Sequence, residues 1–379
     1  MNHLNPGGNE PSRSAFLKTK AFIAILAILI AGALIAFYLT SKTPDEVEAP
    51  LPASEVTATP LALPIISNSA EIPQSPLSPL SPVAVSPTSN LADPDVLNQL
   101  FDTGLGYYEA KEYDKALEAF NKVLALDPHY ARGLDARGTV YNALGDPEKA
   151  LADYNQAIEA DPLYPPAYYN RGRLYGLQKK YDAAIADLQK SIELAPLFFG
   201  YRANGNIGLI YHLQGEYAKA LDAFATAISY DDSKADTYYL RGETYTAMED
   251  YEAAISDYQA ALNRFPNYNQ AYQGLGYASY KIGQLDQAQE ALNKALEISS
   301  NSPMTHFYLM LVYLAADQLD QAQAEVSQAM DNIGALSEEE QYFLFKRVLA
   351  DLETFAKENP AKATDAKALT NLIPEPQQP

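Results

Sequence analysis

Residues 97–128 read LNQLFDTGLGYYEAKEYDKALEAFNKVLALDP, and residues 131–162 read ARGLDARGTVYNALGDPEKALADYNQAIEADP. Laid over one another, they share a glycine (Gly104, Gly138), a tyrosine three residues later (Tyr107, Tyr141) and an alanine twelve residues after the glycine (Ala116, Ala150). An aromatic follows four residues on (Phe120, Tyr154), and a proline closes each segment (Pro128, Pro162). The alanine column continues through Ala184, Ala220, Ala254, Ala288 and Ala322, at successive spacings of 34, 34, 36, 34, 34 and 34 residues. The glycine column runs on through Gly172, Gly208, Gly242 and Gly276, with Met310 in the seventh copy. A fixed period of this length marks a stack of small units, each too open to form a core alone.

Within the first copy, Leu97, Leu100, Phe101, Gly104, Tyr107 and Tyr108 recur at three- and four-residue steps, which predicts a helix with one buried face. Asp114 opens a second such run, with Ala116, Leu117, Phe120 and Leu124. Helices of about 13 residues do not persist alone in water. The glycine and alanine columns let the two helices of a unit approach, and the bulky residue after each alanine fills the space beside them. Pro128 cannot continue a helix, so it ends one unit before the next begins. Each unit leaves an apolar face open until a neighbour covers it, and stability is shared along a one-dimensional stack. On this reading Tyr107, Tyr141, Tyr175, Tyr211, Tyr245 and Tyr313 form a core column.

The pattern resembles the tetratricopeptide repeat family over residues 97–336. The resemblance implies an all-α fold, an α-solenoid in which antiparallel helix pairs wind into a right-handed superhelix. Its seven units fall at 97–130, 131–164, 165–198, 201–234, 235–268, 269–302 and 303–336, with two extra residues, Phe199 and Gly200, before the fourth. Ser337-Glu338-Glu339-Glu340 has capping-box spacing. The apolar stripe Tyr342, Phe343, Phe345, Val348, Leu349, Leu352 and Phe355 then predicts a helix over 337–358 that seals the last repeat. Residues 361–379 are expected to be a flexible tail.

Upstream, residues 21–40 read AFIAILAILIAGALIAFYLT, without charge or proline. Twenty residues in a helix span roughly 30 Å, the thickness of a bilayer core, which predicts a transmembrane helix. Arg13, Lys18 and Lys20 precede it, and Asp45, Glu46 and Glu48 follow. The positive-inside bias therefore places residues 1–20 in the cytoplasm and the repeats outside a plasma membrane, periplasmic or at the cell surface. A cleaved signal peptide is the alternative, with Ala31-Gly32-Ala33 as its processing site. The apolar run continues past that site through Leu39, which favours an uncleaved single-pass anchor. Residues 41–95 carry eleven prolines; they predict a disordered linker that holds the repeats away from the membrane.

Composition narrows the chemistry. The chain has 379 residues, no cysteine, four scattered histidines and a net charge of -21. Disulfides, cysteine-metal sites and thiol catalysis are excluded, and no histidine pair has metal-ligand spacing. An acidic chain lacks the basic face that nucleic acid requires. No Gly-x-Ser-x-Gly elbow and no phosphate-cradling loop occurs, so no catalytic residue, cofactor or metal is assigned.

What remains is binding. In the family, the first helix of each unit lines a concave surface that commonly holds peptides or partner proteins. Spacing from the glycine column assigns Asp135, Tyr169, Tyr239, Gln273 and Phe307 to that lining. One turn later come Thr139, Arg173, Glu243 and Tyr277, then Asn142, His212, Thr246 and Tyr280; Asn170 and Asn206 also point towards it. Tyr169, Tyr239, Tyr277 and Tyr280 have no assigned packing duty and, with Asn170, Arg173, Asn206, His212 and Glu243, form the candidate partner site. Tyrosines that merely pack on one another in a solvated groove are the alternative. Chaperone-binding members clamp a terminal carboxylate with a basic cluster. Here Asp135, Thr139, Tyr169 and Arg173 stand in its place, so capture of a chaperone tail is not expected. Residues 97–336 hold 18 basic and 32 acidic residues, which favours a basic or polar partner over an anionic one. The reading is a membrane-tethered, non-enzymatic scaffold for protein interaction or complex assembly. A glycan or cell-wall polymer module, or a regulatory subunit of an envelope enzyme, are the alternatives.

Overall fold

The computed structural model describes residues 94–376. The predicted transmembrane helix, most of the linker and the last three residues lie outside the described residues. Among the described residues, no helix is long and apolar enough to cross a membrane.

Seven helix pairs follow one another: α1 (Pro94–Glu109) with α2 (Tyr113–Leu126), α3 (Ala131–Ala143) with α4 (Pro147–Ala160), α5 (Pro165–Leu177) with α6 (Tyr181–Leu194), and α7 (Pro196–Leu213) with α8 (Tyr217–Tyr230). Then come α9 (Ala235–Ala247) with α10 (Tyr251–Arg264), α11 (Asn269–Lys281) with α12 (Leu285–Ile298), and α13 (Pro303–Ala315) with α14 (Leu319–Asn332). The chain closes with α15 (Glu338–Glu358) and α16 (Ala363–Thr370). Each first helix packs on its own partner and on the second helix of the preceding pair. Successive first helices also approach one another, whereas second helices make no comparable approach. The first helices therefore form the inside of the curve. This is an all-α helical-repeat solenoid.

The columns explain the packing. All seven alanines are fully buried, and so are Phe120, Leu188, Phe224, Tyr258 and Leu292 beside them. A methyl group placed on Gly104 would lie 2.5 Å from the Phe120 ring, and one on Gly208 would lie 2.7 Å from Phe224. The absence of a side chain is what lets the aromatic seat there. Burying each such ring contributes about 2–3 kcal/mol.

A second set of links joins the pairs. Arg171 donates Nε and Nη2 to Asp187, at 2.7 and 2.8 Å, and Nη1 to Asn155 of the preceding pair at 2.7 Å. Arg137 repeats the arrangement with Asp153 and Asn121, and Arg241 forks onto Asp257. In the fourth copy the corresponding positions are Ile207 and Ala223, both buried. The two solutions, an ion pair or an apolar pair, fill the same site.

Three expectations need correction. The tyrosine column is only half-buried; basic side chains lie over its outer face, with Lys115 5.4 Å from the Tyr107 ring and Lys149 5.3 Å from Tyr141. The fourth unit does not begin at Tyr201. Asp127, Asp161 and Asp231 each hold a turn after a second helix by accepting a backbone N–H two residues on. After Ala195 no such turn intervenes: α7 starts at once with Pro196 as its first residue, and the two extra residues, Phe199 and Gly200, are taken up in an 18-residue helix. Finally, the segment after Asn359 is not a loose tail as far as it is described. Pro360–Lys362 forms a 3-10 turn and α16 packs against α14 and α15, burying Ala366, Leu369 and Ile373.

Candidate functional site

The inner face has two halves of different character. In the first half, the backbone turns of α3, α5 and α7 set polar side chains in register across neighbouring helices. Asn170 on α5 donates from Nδ2 to Oδ1 of Asp135 on α3 at 2.9 Å. Burial pushes the Asp135 carboxyl up to about 7, against the lowering effect of hydrogen bonds from Asn170 and Tyr164. Thr139 donates to the Asp135 carbonyl at 3.0 Å. Asn206 on α7 donates to the Arg202 carbonyl at 2.9 Å and to the Tyr169 hydroxyl at 3.4 Å. The Tyr169 ring packs 5.1 Å from Phe199, which the early start of α7 brings into place. The Arg173 guanidinium lies 5.7 Å from the centre of the same ring.

His212, near the end of α7, reaches Thr244 on α9 with Nδ1 at 2.9 Å. The Thr244 hydroxyl already donates to the Leu240 carbonyl, so Nδ1–H is the donor in this pair. Burial lowers its pKa to about 4.

The second half is aromatic. Tyr239 on α9 is buried between Tyr258 and Tyr268, with ring centroids 6.1 and 5.1 Å away. Tyr258 donates to Glu243 at 2.5 Å. Tyr277 on α11 sits 4.8 Å from Tyr308 on α13 and 6.4 Å from Tyr280. Gln273 is taken up by Ser302 and Thr305, and Phe307 is fully buried, 6.5 Å from Phe345 of α15.

That last contact introduces a helix the lining assignment did not foresee. The Ser337–Glu340 capping box starts α15, whose stripe Leu344, Phe345, Val348, Leu352 and Phe355 is buried in one cluster with α13 and α14. Beyond covering the last pair, α15 leans across the inner face. Its Arg347 guanidinium lies 5.1 Å from the Tyr277 ring and 5.5 Å from Tyr308. Asp351, one turn on, accepts from the Tyr277 hydroxyl at 3.4 Å. Burial raises the pKa of both Glu243 and Asp351, and Arg347 counters this in each.

The structure thus brings Tyr169, Asn170, Asn206, His212 and Tyr239 into the floor of the groove, where each is under a tenth exposed and engaged with its neighbours. Arg173, Glu243, Tyr277 and Tyr280 remain partly accessible. Three residues of the inner face were missed: Tyr308, Arg347 and Asp351. The signal for the last two was the four-residue spacing of an arginine and an aspartate beside the stripe of α15. Among the described residues, no cluster of histidine and acidic side chains is arranged to hold a metal ion.

Family models for the tetratricopeptide repeat match residues 98–130, 165–197 and 233–301, and a TPR repeat model matches 138–179 and 208–248. These segments are tetratricopeptide repeats. The chain is 33% identical over 89 residues to the small glutamine-rich tetratricopeptide repeat-containing protein of Dictyostelium discoideum, covering 24% of this chain and 27% of that protein. It is 26% identical over 136 residues to the TPR repeat-containing protein MJ1428 of Methanocaldococcus jannaschii, covering 36% and 24% of the two chains. It spans about a quarter or less of the length of the curated relatives it matches. Among solved structures, PilW, described as a widely conserved type IV pilus biogenesis factor, superposes with a TM-score of 0.53 at 18% identity, over 57% of this chain and all of PilW. That likeness is one of fold.

Proposed function

We propose that this array of tetratricopeptide repeats is a non-enzymatic scaffold that holds a protein or peptide partner on its concave face and assembles it into a complex at a membrane. The observation that carries the reading is the continuous inner face built from successive first helices, with Arg173, Glu243, Tyr277 and Tyr280 still partly open along it. Its solved neighbours include a pilus biogenesis factor, and assembly of an envelope structure is a role of the same kind. In this reading residues 21–40 anchor the chain in the plasma membrane, with the repeats outside and the proline-rich linker giving them reach. Sugar stacking is less favoured, because Tyr169 and Tyr239 are buried and offer no open ring face.

The test is photo-crosslinking in intact cells. A crosslinking amino acid at Arg173 or Tyr280 is expected to capture a protein partner, and one at the exposed second-helix positions Gln156 or Glu290 is not. Capture that is indifferent to the face would reject the groove as the binding surface. Protease added to intact spheroplasts is expected to degrade the repeats; protection would reject their placement outside.

A further inference from the structure

The inner face of the fifth to seventh repeats carries a cage with an arginine in it. Tyr277 and Tyr308 present ring faces from α11 and α13, and Glu243 supplies a carboxylate from α9. We propose that this cage is the recognition site for an arginine-bearing amphipathic helix of a partner protein, and that α15 occupies it in cis through Arg347. The proposal deepens the scaffold reading above and rests on it.

Three observations support it. A helix that only sealed the last pair would need its apolar stripe alone, and Leu344, Phe345, Val348, Leu352 and Phe355 supply that. Arg347 and Asp351 lie off the stripe, on the side turned to Tyr277, and they make contacts that sealing does not require. Next, the fit is incomplete. One Asp351 carboxylate oxygen, Oδ2, is buried without a partner, and burial disfavours the ionised form of both Asp351 and Glu243. An uncompensated buried acceptor weakens the seat of the helix that carries it. A helix with arginine in place but no acid in the Asp351 position would sit better. Finally, the array carries 32 acidic against 18 basic residues over 97–336, so its field draws a basic helix and repels an acidic one.

The link from α14 to α15 is a single 3-10 turn, Ile333–Ala335, followed by Leu336. So short a tether gives α15 an effective concentration on the order of millimolar. A partner helix must exceed that advantage, and the missing hydrogen bond on Asp351 lowers the threshold.

The experiment uses the full chain in detergent and a fluorescent synthetic peptide of residues 336–359 as the probe. The peptide is expected to bind the Arg347→Ala chain at least tenfold more tightly than the unaltered chain, because the competitor in cis is weakened. A peptide carrying Arg347→Ala is expected to lose at least tenfold, and one carrying Arg347→Lys to retain part of the affinity. Equal binding to both chains, or no loss from the altered peptide, overturns the proposal. If the Arg347→Ala chain does not fold, the unaltered chain decides by hydrogen exchange. Saturating peptide should raise exchange in α15 and leave α11 and α13 unchanged; unchanged α15 exchange overturns the proposal. A dimer of the full chain that dissociates on adding peptide would put a second copy's α15 in the groove and reject the cis assignment. Partner crosslinks at Arg173 that persist beside a negative peptide result would reject the cage alone.

Discussion

Asp135→Asn should stabilise the second and third repeats, increasingly as pH rises. The carboxyl is 2% exposed and its pKa lies near 7 against an ordinary 3.8. A raised pKa means that the folded state keeps a proton the unfolded chain has already released. The contribution is therefore harmless below pH 4 and becomes a growing penalty as pH climbs to 7. The full difference of about three pKa units corresponds to about 4 kcal/mol. Between pH 5 and pH 8 the advantage of asparagine should grow by about 2 to 3 kcal/mol. Asparagine keeps an oxygen to accept the Asn170 hydrogen bond, so geometry is retained. Because a repeat array does not unfold as one unit, the assay is amide hydrogen exchange in α3 and α5, which reads local opening, at pH values from 5 to 8. An advantage that is flat across this range, or a loss at every pH, would refute the assignment of a buried, proton-holding aspartate.

Arg171→Ala should cost about 3–5 kcal/mol of local stability, because it strands the buried Asp187; Arg171→Ile with Asp187→Ala, copying Ile207 and Ala223, should recover most of it in urea unfolding. His212 has its pKa lowered to about 4 by burial, so its contribution is present above pH 6.5 and is lost as pH falls; opening of α7 and α9 should become easier by about 2 kcal/mol between pH 6.5 and 5, measured by exchange. Lys179→Gly should raise the melting temperature, with a gain of about 0.5–1 kcal/mol, since Lys179 has φ 58 in a helix-ending turn where Gly145, Gly215 and Gly283 hold the matching positions.

The periodic features were legible in sequence for a physical reason. Gly104 and Ala116 are small because a bulky side chain must seat between the helices, a ring in four units and leucine in two more, and that demand recurs along the array. The left-handed turn residue recurs as well, but Lys111, Lys179, Glu249 and Asp317 occupy it in four copies, and only the three glycines signal it. Groove residues were legible as to face and not as to neighbour. Spacing places Tyr239 on the inner side of α9, yet its burial depends on Tyr258 from α10 and Tyr268 from the turn before α11. The early start of α7 was not legible at Ala195, because Phe265 at the matching position likewise offers no side-chain acceptor and still keeps its turn, with the Tyr268 N–H donating to the Phe265 carbonyl. The seat of α15 was hidden because its stripe predicts burial without naming the surface that receives it.

The units of the stack hold one another in place, and removal of the first pair, residues 94–129, from the full chain tests this most directly. Hydrogen exchange should rise sharply in α3 and α4, which lose the neighbour that covers them, and progressively less towards α11 and α12. Protection in α3 and α4 equal to that of the intact chain would contradict the stack.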